Sequence, residues 1–175
     1  MKDTNVLLKI LGVVHLFIAM ITGIYGFIFK KNKFDLLYIF YNLIVAVSWS
    51  FCNGECILTY WVKKYRNPEY IAGINPTDLE DMHLLLGFKE IVYIIITLGV
   101  MVLPVSFYIV CKRNNFPFYI YFPFCISFYL YNILLRFISL KKQSNLYNNV
   151  QNIFKVIFTT LFLLASYFVY KNNVK

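Results

Sequence analysis

The stretch IVYIIITLGVMVLPVSFYIVC, residues 91–111, decides what kind of protein this is. It contains no Asp, Glu, Lys, Arg or His, and it matches the roughly 20 apolar residues that a helix needs to cross the hydrocarbon of a bilayer. Lipid offers no water to backbone N–H and C=O groups, so such a segment has to satisfy them internally as a helix. The stretch therefore predicts a transmembrane helix.

Four further apolar runs accompany it. We place the predicted membrane spans at about 6–29, 36–62, 84–111, 116–140 and 153–170, with one sizeable loop over 63–83. The chain of 175 residues is 60% apolar and 14% charged, whereas a soluble domain is about half apolar and a quarter charged. One small soluble core could not bury so much apolar surface. The sequence predicts a single-domain, all-α, polytopic transmembrane helical bundle of five spans, and it excludes a soluble enzyme, a disordered tail and a disulfide-rich secreted module.

The basic residues lie mostly between the apolar runs. Lys and Arg total 17 against 8 acidic residues, for a formal net charge of +9. Short basic clusters at 30–33, 63–66, 112–113, 141–142 and 171–175 are typical of loops that face lipid headgroups. We therefore expect these basic residues to contact the lipid bilayer and not a nucleic acid. The distribution slightly favours a cytoplasmic N-terminus, and Lys30 and Lys31 after the first run favour an uncleaved span over a signal peptide.

Polar side chains within the spans are the candidates for function, because each is costly in hydrocarbon. With alternating helix directions, most of them fall in the half of the membrane nearer the N-terminal side. The candidate polar cluster consists of His15, Asn53, Glu55, Cys56, Thr59, His83, Lys89, Glu90, Asn132 and Arg136. His15 is expected deeper than the others, about 14 Å from the start of its helix. We interpret this asymmetry as a polar vestibule that opens toward the N-terminal side beneath the 63–83 loop.

The polar residues of the vestibule allow two interpretations, a reactive or binding site and simple packing. Glu55 or Glu90 could act as an acid or base if burial raised its pKa, His83 can titrate near neutral pH, and Arg136 could grip a phosphate or carboxylate. The same residues also allow simple packing pairs near the membrane surface. In that interpretation Glu90 pairs with Lys89 or Arg136, and Glu55 pairs with Lys63 or Arg136.

Metal and cofactor chemistry have little support in the sequence. Cys52 and Cys56 are four residues apart without a C-x-x-C pair, so no metal site and no cofactor are expected. Nucleotide-binding, serine-hydrolase and metalloprotease motifs do not occur.

A stripe of small residues on the first span predicts a close helix contact, through which a homo- or hetero-oligomer could form. The stripe consists of Gly12, Ala19, Gly23 and Gly26.

The first two spans carry a resemblance. The first contains Val-Val-His-Leu-Phe around His15, and the second contains Cys56-Ile57-Leu58-Thr59 near its end. This resembles a family of small uncharacterised membrane proteins, bacterial and from large DNA viruses, with a His in the first span and a C-x-L-T motif closing the second. Ile57 stands where the bacterial pattern has Pro. The resemblance covers the first third of the chain and implies a multi-pass membrane protein of bacterial or viral origin, without assigning an activity.

Three functions are compatible with the sequence, which favours the first over the other two. The first is an integral membrane protein with a structural or interaction role and no enzymatic activity, since packing explains each polar residue singly. The second is a membrane-embedded protein that binds or acts on a lipid-like molecule through Glu55, Glu90, His83 and Arg136. The third is a proton or ion pathway through His15 and Glu90. Polar groups thin out toward the far side, so the sequence favours a closed pocket over a channel.

Overall fold

The fold is all-helical throughout the part of the chain that the structure, a computed structural model, describes, namely residues 2–76, 89–138 and 145–173. The helices are α1 (Lys2–Ile28), α2 (Asp35–Phe51), α3 (Ile57–Arg66), α4 (Lys89–Arg113), α5 (Phe118–Ile138) and α6 (Asn145–Asn173). The predicted all-α class is confirmed. Four helices, α1, α4, α5 and α6, are long and apolar enough to cross a membrane.

The second predicted span is divided in two. α2 ends at Phe51, and Asn53 and Gly54 then adopt positive φ angles of 50° and 91° before α3 begins. Asn-Gly is a frequent turn pair because both residues tolerate this left-handed conformation. A continuous helix over 36–62 is therefore wrong, and the apolar run that suggested it belongs to α2, a tight turn and the short α3.

α1 and α4 approach each other closely at small residues. A Cβ added to Gly26 would lie 2.4 Å from the carbonyl oxygen of Ser106, and one added to Gly23 would lie 3.6 Å from the Cα of Gly99. The backbone N–H of Gly26 donates to the Ser106 hydroxyl over 2.7 Å. The close contact predicted from the small-residue stripe thus forms within the chain at these two glycines.

The other long helices pack around an aromatic core. α2 packs on α6, and α5 lies between α4 and α6. The ring centroids of Phe107 and Phe124 are 4.1 Å apart, and Phe124 and Tyr131 on α5 both contact Phe158 on α6. Large buried rings of this kind fix how neighbouring helices fit against each other.

The outer faces of the long helices are apolar. Phe17 on α1, Leu98 on α4 and Val156 on α6 each expose more than half of their surface. A soluble monomer does not present apolar side chains around its whole circumference. Together with the four helices of spanning length, these faces identify a membrane protein.

Candidate functional site

A cavity of about 320 Å³ lies between α1 and α2, and we call it the lateral cavity. α1 packs mainly on α4 and α2 mainly on α6, so that a cleft remains between α1 and α2. Ile96 and Leu103 of α4 and Phe128 of α5 line the cleft from inside the bundle, and the well-exposed Met20 and Ile44 stand on its outer side. Its volume is that of a binding site for a small molecule. The open side of the cavity lies on the apolar outer surface of the bundle.

The most reactive pair of groups at the cavity is His15 and Cys56. The Cys56 sulfur lies 3.2 Å from Nε2 of His15, which is almost fully buried. Cys56 is the residue immediately before α3 and so stands at the N-terminal end of that helix. An adjacent imidazole and a helix N-terminus both stabilise a thiolate. The pair can therefore hold a nucleophilic sulfur beside the cavity.

The sequence predicts His15 deeper in the membrane than Cys56, but the two side chains are in contact. The reason is the turn at Asn53 and Gly54, which ends α2 early and brings Cys56 back against the middle of α1. A continuous helix would have carried Cys56 farther along the second span. The contact thus depends on the turn that the apolar run concealed.

Other polar groups of the cavity wall are mostly satisfied by their own helices. Asn42 Nδ2 donates to the carbonyl of Tyr38 over 2.8 Å, and the Ser48 hydroxyl donates to that of Val45 over 2.8 Å. Trp49 differs, because its buried Nε1 has no hydrogen-bond partner among the described residues. Buried donors are normally paired, so this N–H is an exception, and it is enclosed within the wall with no surface exposed to the cavity.

Glu55 lies outside the lateral cavity in a buried ion pair. Its Oε1 accepts from Lys63 Nζ over 2.9 Å, and the side chains of both residues are almost completely buried. Lys63 Nζ also donates to the carbonyl of Asn75 over 2.7 Å, and the Tyr70 hydroxyl donates to Glu55. The predicted pairing of Glu55 with Lys63 is confirmed. We call these four residues the Glu55 cluster; it joins the turn after α2 to α3 and to the following loop.

The remaining candidates are dispersed. Asn53 forms the turn and donates to the carbonyl of Ala72 over 3.2 Å, and Thr59 is buried on α3. Glu90 is exposed near the start of α4. Asn132 donates to its own helix and borders a smaller cavity of about 80 Å³ that Trp49 and Cys56 also line.

Three candidates cannot be assigned to either cavity. His83 lies outside the described residues, and the side chains of Lys89 and Arg136 also lie outside what the structure describes, although their backbones belong to α4 and α5. Of the predicted cluster, the structure therefore brings His15 and Cys56 together at the lateral cavity. It holds Glu55 apart from them in its own ion pair.

A second buried ionic cluster was missed in the sequence. Asp35, the first residue of α2, accepts from Arg113 Nε over 2.8 Å and from Asn114 Nδ2 over 2.7 Å, and the Tyr25 hydroxyl donates to it over 3.0 Å. Arg113 also donates to the carbonyl of Phe29 beyond α1. These contacts join the ends of α1, α2 and α4. From the sequence Arg113 is expected to be a loop residue that faces lipid headgroups. Its carboxylate partner Asp35 is 78 residues away, and so distant a pair leaves no local sequence pattern.

The Asp35 cluster also affects a titration. Burial acts to raise the pKa of Asp35, but hydrogen bonds from Arg113, Asn114 and Tyr25 outweigh it and hold this pKa below its usual range. The carboxyl group precedes the apolar run of α2. It therefore stays ionised at neutral pH and keeps its pairing with the guanidinium.

Metal binding receives no support from the geometry. Within residues 2–76, 89–138 and 145–173, no group of three or more His, Cys, Asp or Glu side chains could hold a metal ion. At the lateral cavity the described residues offer a thiol and an imidazole beside an apolar space.

Comparison of the chain with family models, curated proteins and solved structures gave no match. The resemblance of the first two spans therefore stays a prediction. Its two characteristic residues, His15 and Cys56, are the pair that meet at the lateral cavity.

Proposed function

We propose that this chain is a five-span membrane protein that binds an apolar, lipid-like molecule in the lateral cavity. The observation that carries the proposal is the space of about 320 Å³, walled mainly by apolar side chains, with His15 and Cys56 among its few polar groups. Binding sites for small molecules combine an apolar wall with a few placed polar groups in this way. An amphipathic ligand would lay its chain against α4 and direct its polar end toward these two residues.

Five spans follow if α2 also crosses the membrane. Its 17 residues rise about 26 Å, close to the roughly 30 Å of the hydrocarbon layer. Asp35 at its start pairs with Arg113 at the end of α4, so the two helices run in opposite directions, as successive spans do. An odd number of spans puts the termini on opposite sides. The basic last turn of α3, with Lys63, Lys64 and Arg66, favours the N-terminal side as cytoplasmic.

Access from the bilayer supports a lipid-like ligand over a water-soluble one. Met20 on α1 and Ile44 on α2 line the cavity and are each about half exposed on the apolar surface of the bundle. A ligand dissolved in the membrane would enter between these helices without crossing water. A purely structural role, the first of the three functions, does not require such a space.

The experiment fills the cavity and measures binding. A Cβ added to Gly99, which lines the cavity, meets no atom within 4 Å, so Gly99→Leu extends into open space. The purified protein in lipid nanodiscs is irradiated with a photoactivatable fatty acid, and the labelled peptides are mapped. We expect labelling at residues 15–22, 41–49 and 95–103, and a loss of about tenfold in Gly99→Leu, equivalent to about 1.4 kcal/mol of binding free energy.

The matched control is Leu98→Phe, an enlargement of the neighbouring side chain on the exposed face of α4. It should leave labelling of the cavity peptides unchanged. If Gly99→Leu and Leu98→Phe label as the wild type does, the lateral cavity does not bind the probe and the proposal is wrong.

A further inference from the structure

We propose that Cys56 is an acyl acceptor: its thiolate, with His15 as base, takes a long-chain acyl group from an acyl thioester and holds the chain in the lateral cavity. This inference rests on the proposed function, because the cavity must accept the chain before the sulfur can be acylated. It adds a covalent site and a substrate class to that function.

The surroundings of Cys56 distinguish it from Cys111 and Cys125. Its sulfur lies 3.2 Å from His15 Nε2, and the residue stands at the N-terminal end of α3. Cys111 is completely buried among apolar side chains, and the Cys125 sulfur donates to the carbonyl of Pro104 over 3.2 Å. Thiolate formation, the condition for nucleophilic attack, is therefore supported at Cys56.

The cavity supplies space for the chain that acylation would add. Cys56 and Ile57 border it on one side, and Ile95, Val100 and Phe128 belong to the same wall. An acyl group on the sulfur would lie against these apolar side chains. The bilayer is as apolar as this wall, so the cavity would hold the chain through packing contacts and not through removal from water.

The reaction is a transthioesterification, and its atoms balance without an oxidant or reductant. His15 takes the proton of the Cys56 thiol, and the thiolate attacks the carbonyl carbon of the acyl thioester. A carbon–sulfur bond to Cys56 forms while the bond to the leaving thiol breaks. The leaving thiolate then receives the proton from His15, so that acyl-Cys56 and a free thiol are the products.

The test uses the full chain in nanodiscs with palmitoyl-coenzyme A as the acyl donor. Intact mass spectrometry counts the acyl groups, hydroxylamine identifies those held as thioesters, and peptide mapping of the wild type locates them. We expect one hydroxylamine-labile acyl group in the wild type, located on Cys56. Cys56→Ala should carry no hydroxylamine-labile acyl group. The matched control Cys52→Ala, four residues earlier, should retain acylation. His15→Gln should slow it about 100-fold, as expected for loss of a general base.

Photolabelling of the same preparations separates this inference from the proposed function. Acylation mapped to another cysteine, or an unchanged rate in His15→Gln with intact cavity labelling, would overturn the inference. Absence of acylation in a wild type that still labels in the cavity would overturn it as well, yet leave lipid binding standing. If the photoactivatable probe does not label the cavity of the wild type, both the acylation of Cys56 and the proposed lipid binding are wrong. Because mapping is done on the wild type, the site assignment does not depend on the variants folding.

Discussion

Glu55 and Lys63 form a buried ion pair in a protein with few charges inside its helices. Tyr70 and Asn75 add hydrogen bonds to this pair, whereas the buried Glu55 Oε2 has no partner among the described residues. Two charges removed from water are stabilised only while both are present, since each compensates the desolvation of the other. At the scale of single residues, the geometry of the turn and of α3 therefore depends on keeping both members.

Removing one charge should destabilise the protein. We expect Glu55→Gln to lower the free energy of unfolding by about 3–5 kcal/mol, because it leaves the buried Lys63 ammonium without a counter-charge. The measurement is unfolding of the detergent-solubilised protein by increasing SDS, followed by circular dichroism. Glu69→Gln, at an exposed position on the same loop, is the control and should change little. Equal effects of the two substitutions would mean that the pair contributes nothing.

Asp35 gives the protein a dependence of stability on pH. Its pKa is held below the usual value of 3.8 in the folded protein. The stabilisation is therefore fully present above the unfolded pKa and is lost as the pH falls through the lower, folded pKa. We expect the wild type to lose stability in acid below about pH 4. Asp35→Asn should be less stable at pH 7 and show a smaller loss in acid; parallel pH profiles for the two proteins would contradict this.

At the scale of elements, the contact between α1 and α4 holds α1 in the bundle. Gly26 permits it because any side chain there meets the backbone of Ser106. The contact also leaves α1 separated from α2 along the lateral cavity. The position of α1 is thus set by a glycine on one helix and a serine on the other.

Enlarging Gly26 should push these helices apart. We expect Gly26→Ala to cost about 1–3 kcal/mol of stability, the usual cost of overpacking, since its Cβ would lie 2.4 Å from the Ser106 carbonyl oxygen. Gly99→Ala is the matched control, because it adds the same methyl group to α4 in open space, and it should be neutral or mildly stabilising. The measurement compares the free energies of unfolding of Gly26→Ala and Gly99→Ala with that of the wild type. If Gly26→Ala is as stable as Gly99→Ala, the close contact does not exist.

Long apolar runs made α1, α4, α5 and α6 predictable, because twenty apolar residues have few alternatives to a membrane helix. The turn at Asn53 and Gly54 was missed, since two turn residues inside an apolar run resemble tolerated interruptions. The pairs that depend on tertiary structure, Asp35 with Arg113 and His15 with Cys56, could not be predicted from spacing. Each joins residues that only the packing of helices brings together.

At the scale of the whole molecule, four helices of spanning length pack with the shorter α2 and leave a cleft open to one side. Its topology can be tested directly, because the account places α2 across the membrane. Fluorescent or protease-sensitive tags on the two termini should be accessible from opposite faces of sealed vesicles. Tags accessible from the same face would show that α2 does not cross and that four helices span.

The central claim is that the lateral cavity holds a lipid-like molecule, and native mass spectrometry of protein purified from its own membrane tests it most directly. We expect one retained amphipathic molecule on the wild type and on Leu98→Phe, and its loss from Gly99→Leu, whose added side chain occupies the cavity. Equal retention by all three proteins, or no bound molecule on any of them, would contradict the claim.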